Sequence, residues 1–211
     1  MGSLVLSAAC GRSAEASETM DFWKVIAGRR SVRRFRPDPV PESDLVRILN
    51  AARSAPTSGN QQPWKFLVIR QRETIHRLEE GCVQFFLRRF DETAGAHGSR
   101  EEAERSCRER LAGYFSAPVQ IAVLTDNQAQ YPDYNHWDGP LAAGYLMLAA
   151  RALGYGTVFI TDAVPEAVTR SVLNIPERYD RVCLTPLGVP EAWPPSPPKR
   201  KLEDFIAYET L

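Results

Sequence analysis

The sequence predicts an α+β chain, and three patterns carry that prediction. Leu45, Ile48, Leu49 and Ala52 recur at the spacing of one helix face. Lys65–Ile69, Val119–Leu124 and Val182–Gly188 are short apolar runs that read as strands. Pro140–Gly154 is apolar nearly all round, as expected of a helix buried on all sides. With 211 residues, 44% hydrophobic and 25% charged, the chain can enclose a full core in one globular domain. Lys and Arg number 26 against 26 Asp and Glu, a zero balance that speaks against nucleic acid as a partner.

Residues 1–19 are expected to be a disordered leader or to lie upstream of a start at Met20, with residues 20–211 forming the single domain. The apolar run Leu4-Val5-Leu6 is short and no Lys or Arg precedes it, unlike a signal peptide. No stretch approaches the roughly 20 apolar residues that span a bilayer. Cys10, Cys82, Cys107 and Cys183 form no CxxC pair, so reduced thiols in a cytoplasmic protein are expected rather than disulfides or a zinc site. Cys183 sits in an apolar run and reads as a buried small hydrophobe. His76, His97 and His136 are too few and scattered for metal or triad chemistry.

In chain order, a first helix is expected over Asp21–Gly28 with Phe22, Val25 and Ile26 facing inward. Val32–Phe35 reads as extended, stopped by Pro37 and Pro39. A second helix starts at Pro41, where Glu42 and Asp44 suit the positive end of the dipole. Glu73–Phe90 and Arg100–Tyr114 are charged helical segments joined by the flexible Ala94–Gly98. The polar Tyr131–Asp138 leads to the apolar helix, and Leu153–Thr161 reads as helix end, turn and buried strand. Val164–Leu173 is a short helix. The proline-rich Val189–Pro198 should be extended, delivering Lys199-Arg200-Lys201 to a fixed place.

Two stretches carry chemistry. Gly28–Arg36 holds five arginines and a serine in nine residues. Flat, permanently charged guanidinium forks suit phosphate, although a solvated basic helix end has the same composition. Ala55–Trp64 packs Thr57, Ser58, Gly59, Asn60, Gln61 and Gln62 between prolines. Such a stiff polar loop offers donors and acceptors without charge, which suits the edge of a heteroaromatic ring; an ordinary turn reads the same way.

Taken in order, Arg29-Arg30-Ser31-Val32-Arg33, a helix, and Ala55-Pro56-Thr57-Ser58-Gly59-Asn60-Gln61-Gln62-Pro63-Trp64 resemble the opening of the FMN-dependent nitroreductase superfamily. The resemblance spans residues 20–211 and is looser over 71–117. It implies a nitroreductase-like fold, a central and mostly antiparallel sheet flanked by helices, in a domain-entwined homodimer. It further implies that Arg29, Arg30, Ser31 and Arg33 hold the phosphate and ribityl chain of FMN, and that Pro56, Thr57, Ser58, Asn60 and Gln62 line the ring and its polar edge. Phe159, Ile160 and Thr161 would lie beside flavin N5 and O4, with Thr161 a candidate donor to N5. A basic residue after the tail, Arg200 or next to it Lys199, would meet the phosphate; the usual proline between Lys201 and Leu202 is missing, which offsets the alignment. Residues 71–117 would form a variable lid with Phe85, Phe86, Arg110 and Tyr114 as candidates, or else two solvated surface helices.

The implied activity is ping-pong electron transfer from NAD(P)H through FMN to nitroaromatic, quinone-like or related small conjugated acceptors. Chemistry at the flavin requires no catalytic side chain and no metal. The arginine opening, the 71–117 insert and the Lys-Arg-Lys tail also resemble the iodotyrosine deiodinase branch. That branch uses a Glu, Tyr and Lys lid, whereas 71–117 here contains only Tyr114 and no lysine. A flavin-binding protein without enzymatic activity is a third expectation.

Overall fold

The computed structural model describes residues 21–93 and 98–210, so the expected leader over 1–19 and the expected joint at 94–97 lie outside the described residues. Helix α1 spans Phe22–Gly28 and starts where the Asp21 carboxylate accepts from the backbone N–H groups of Trp23 and Lys24, at 3.0 and 3.3 Å. Helix α2, Glu42–Ala52, buries Leu45, Ile48 and Ala52. One tight turn over Ser58–Asn60 leads into strand β1, Trp64–Ile69. Helices α3, Arg72–Glu92, and α4, Arg100–Phe115, follow, the second opened by a capping box between Ser99 and Glu102. Then come β2, Val119–Asp126, α5, Asn135–Ala152, β3, Gly156–Thr157, α6, Glu166–Leu173, and β4, Tyr179–Gly188.

The four strands run in the order β1-β2-β4-β3, every pair antiparallel. β2 shows why its sequence, Gln120 apart, is apolar from Val119 to Leu124. Val119, Ile121 and Val123 point to a core shared with α2 and α5, while Ala122 and Leu124 point to a second core shared with α3, α4 and α6. Because side chains alternate across a strand, a strand covered on both faces needs apolar side chains on both, and the buried Gln120 is accommodated by donating through Nε2 to the Tyr114 carbonyl at 2.9 Å. The charged segments over 71–117 thus supply one whole face of the second core through Ile75, Leu78, Cys82, Leu87, Leu111 and Phe115.

Several expectations are corrected. α5 begins at Asn135, not Pro140, so Pro140 lies inside the helix. The preceding polar residues supply its first turns, with the Asn135 side chain donating to the Asp126 carbonyl at 2.9 Å. Nor is α5 buried on all sides, since Leu141 and Tyr145 are exposed. In α1 only Val25 is buried; Phe22 and Ile26 are 61% and 45% exposed. Phe22 instead borders an open apolar groove of about 490 Å³ with Ala51, Tyr145, Leu148 and Ala152.

The buried strand expected through Thr161 shrinks to Gly156–Thr157 plus a lone bridge between Ile160 and Leu184. β4 explains the gap. Leu184 exchanges both backbone hydrogen bonds with Ile160, so two residues on Pro186 turns the same edge outward and has no N–H to give Val158.

Cys82, Cys107 and Cys183 are buried free thiols, and burial pushes those of Cys82 and Cys183 up to about 12. Cys10 lies outside the described residues. Among the described residues, no helix is long and apolar enough to cross a membrane.

Candidate functional site: an arginine cavity and a strained polar loop

The arginine segment is held on the outer edge of the sheet. Ser31 bridges Thr157, Val32 donates to the Thr157 carbonyl at 2.9 Å, and Phe35 bridges Pro190 at the start of the tail. Val32 and Phe35 are buried, which turns the polar residues between and before them toward the surface. The Arg30 guanidinium donates through Nη1 to the carbonyls of Ala27 and Arg29, at 2.7 and 2.9 Å. Arg33 donates to the Ser31 carbonyl at 3.2 Å.

Here the tail comes back. Arg29, Arg30, Ser31, Arg33 and Lys199, with Pro194, Pro195 and Pro197, line a cavity of about 350 Å³. Its polar lining contains cations and one hydroxyl but no carboxylate. The buried Nε atoms of Arg30 and Arg151 have no hydrogen-bond partner among the described residues. Packed cations without a counter-ion are costly unless an anion completes them, so the cavity suits a phosphate. Arg200 does not line it; its Nε lies 3.2 Å from Asp204 and it stacks on Phe205.

The polar loop is built around a buried carboxylate that sequence reasoning missed. Asp138, in the first turn of α5, is 2% exposed. Its Oδ1 accepts from the Ser58 N–H at 3.1 Å and its Oδ2 from Gln61 Nε2 at 2.7 Å. Gln61 also exchanges two hydrogen bonds with the backbone of Tyr131, at 2.7 and 3.0 Å. Gln62 N–H donates to Thr57 Oγ1 at 3.2 Å, and Gln62 Nε2 to Asn60 Oδ1 at 3.1 Å.

Gly59, Asn60 and Gln62 all have positive φ, at 56°, 55° and 48°. At Gly59 any side chain would meet the Tyr131 ring at 2.5 Å. Asn tolerates this region and Gln does so poorly, so the loop stores strain that its hydrogen bonds hold in place. Asn60 and Gln62 are left exposed, with carboxamides available to a ligand.

The two groups do not meet within one chain. The arginine cavity adjoins Thr157, which pairs with Leu187, and Leu187 with Val119. The polar loop ends at Pro63, whose carbonyl accepts from Asp126 at 2.8 Å, at the other end of β2. Seven residue steps along a strand are about 23 Å, so cavity and loop sit at opposite ends of the sheet. Phe159–Thr161 lie between, with Ile160 bridged to mid-β4 and the exposed Thr161 accepting through its carbonyl from Arg181 at 2.9 Å. Pro56 is exposed at the foot of the polar loop.

A profile described as the nitroreductase family matches residues 26–189. A 5,6-dimethylbenzimidazole synthase of Rhodospirillum rubrum is 32% identical over 82% of this chain and 84% of its own. An NADH dehydrogenase of Thermus thermophilus is 31% identical over 77% and 83%. Among solved structures, an oxidised iodotyrosine deiodinase bound to FMN and 3-iodo-L-tyrosine superposes with a TM-score of 0.72 at 25% identity, covering 90% of this chain and 100% of that one.

Proposed function

Because the chain belongs to the nitroreductase family of oxidoreductases, we propose that it is an FMN-dependent NAD(P)H oxidoreductase acting on nitroaromatic, quinone-like or related small conjugated acceptors. The observation that carries the reading is the acid-free cavity of Arg29, Arg30, Ser31, Arg33 and Lys199. Its donors match a phosphate monoester in charge and number, and the unpartnered Arg30 Nε is a buried donor awaiting an acceptor. The polar loop offers uncharged groups for the rim of the ring: the Thr57 and Ser58 hydroxyls and the Asn60 and Gln62 carboxamides.

When bound, FMN supplies the redox chemistry, accepting a hydride and passing electrons on. The chain's own residues bind and orient. The arginines neutralise and anchor the phosphate, and the Asp138-braced loop presents fixed dipoles to the ring without having to reorganise. In this reading the exposed Phe159 and Thr161 would supply a donor to the ring's reactive edge, the Ile160 N–H being already given to the Leu184 carbonyl at 3.0 Å. No nucleophile or strong acid or base is required of the protein.

Since cavity and loop lie at opposite ends of one sheet, the proposed site is a composite in which a second copy brings its loop to this copy's cavity. The exposed apolar strip of Phe22, Leu141 and Tyr145 along the α1–α5 groove supports the corresponding homodimer.

Purified protein is expected to be yellow, or to take up one FMN per chain, and NAD(P)H is expected to bleach the flavin before an acceptor restores it. A colourless protein that takes up no FMN contradicts the reading. Reductive dehalogenation is a second reading, favoured by the overall likeness to the iodotyrosine deiodinase. Comparing nitroaromatic reduction with iodide release from iodotyrosine separates the two.

A further inference from the structure

Beyond Pro190 the tail has few anchors. The Glu191 N–H donates to the Arg34 carbonyl at 3.2 Å. From Pro194 to Thr210 every hydrogen bond and ion pair among the described residues closes within the tail itself: Ser196 to Pro197, Asp204 to Lys201, Arg200 to Asp204 and Thr210 to Tyr208. Yet Lys199 lines the arginine cavity. Something just before the prolines must set its course.

Trp193 occupies that position. Its ring lies flat enough against Arg151 that the guanidinium carbon is 3.8 Å from the ring centroid. Arg151 ends α5 and presses on Gly28, where a methyl group would come within 2.9 Å of Arg151 Nη2. Burial, and then the nearby Arg30 charge, lower the Arg151 pKa, and no carboxylate pairs with this guanidinium among the described ion pairs. Among the described residues, the Trp193 face is the one favourable electrostatic partner given to this partly buried cation. The four prolines of Trp193–Lys199, at 194, 195, 197 and 198, then keep the span stiff, so that fixing its first residue fixes its last.

We propose that Trp193, stacked on Arg151, is a positioning residue that latches the C-terminal tail so that Lys199 closes the arginine cavity over a bound phosphate. The inference deepens the flavin reading and rests on it for the identity of the phosphate. It also makes a claim about the tail that stands without any ligand.

The test uses the full chain with W193A, W193L, W193F and R151A. FMN affinity should fall about three- to tenfold in W193A, W193L and R151A, with W193F close to wild type, since a half-buried cation–aromatic contact is worth roughly that factor. Riboflavin, which lacks the phosphate, should bind all variants alike. In protein without flavin, trypsin should cut after Lys199, Arg200 and Lys201 faster in W193A than in wild type or W193F. Equal losses for riboflavin and FMN, or a W193F as weak as W193A, overturn the latch. Unchanged cleavage overturns it even if FMN never binds. Faster cleavage of W193A than of a wild type that itself binds no FMN sinks the flavin reading and leaves the latched tail intact.

Discussion

Asp138 is buried with both oxygens committed to one loop, and a buried acceptor in that position can be removed only at the expense of its donors. Asp138→Ala leaves the Ser58 N–H unpaired and takes from Gln61 Nε2 one of its two acceptors, the Tyr131 carbonyl remaining, a cost of about 1–3 kcal/mol. Thermal unfolding should show that loss, and flavin binding should fall further than stability alone explains, because Asn60 and Gln62 lose the brace that holds their positive φ. Tyr155 gives a second test at this scale. Its hydroxyl donates to Asp44 at 2.7 Å, and burial, then that hydrogen bond, raise its pKa from an ordinary 10.0 to about 12. Between those values the unfolded chain has released a proton that the folded chain retains. Stability therefore falls as pH rises from 10 to 12, and Tyr155→Phe should flatten that part of the denaturation profile.

Among the elements, the two-faced sheet decides what matters. Leu78 in α3 is fully buried against it, whereas Glu80 two residues on pairs with Arg108 at the surface. Leu78→Ala should cost about 2–5 kcal/mol, and Glu80→Gln less than about 1 kcal/mol, as measured by denaturant titration. This ranking shows what could be read from sequence. The α2 face of Leu45, Ile48 and Ala52 and the apolar run Ile121–Leu124 of β2 were legible because burial on one face or two leaves a pattern in the chain. The curtailment of β3 was not, since its cause, the missing N–H of Pro186, acts across the ladder from another strand. The start of α5 was hidden because Asn135 and Asp138 look like loop residues until their partners, the Asp126 carbonyl and the Ser58–Gln61 loop, are placed beside them. The same holds for Arg151 and Trp193, which are forty-two positions apart and meet only in the fold. The arginine cluster and polar loop stood out by composition, but nothing in their order indicated that one chain keeps them at opposite ends of its sheet.

The whole molecule follows from that separation. If the arginine cavity and the polar loop hold one flavin as proposed, their separation of about 23 Å along a strand would call for a second copy, and the exposed apolar strip on α1 and α5 is where a second copy would pack. Tyr145→Glu, placing a charge in that strip, should yield a monomer by light scattering that keeps its helix content and loses FMN. The most direct measurement co-expresses two differently tagged copies, one carrying R30A and R33A, the other N60A and Q62A, and counts FMN bound to the purified mixed dimer. A site shared between copies leaves one position with both lesions and one with neither, so one FMN should bind per mixed dimer with wild-type affinity. If each copy held its flavin alone, both positions would be damaged, and finding no tight FMN site in the mixed dimer would contradict the account.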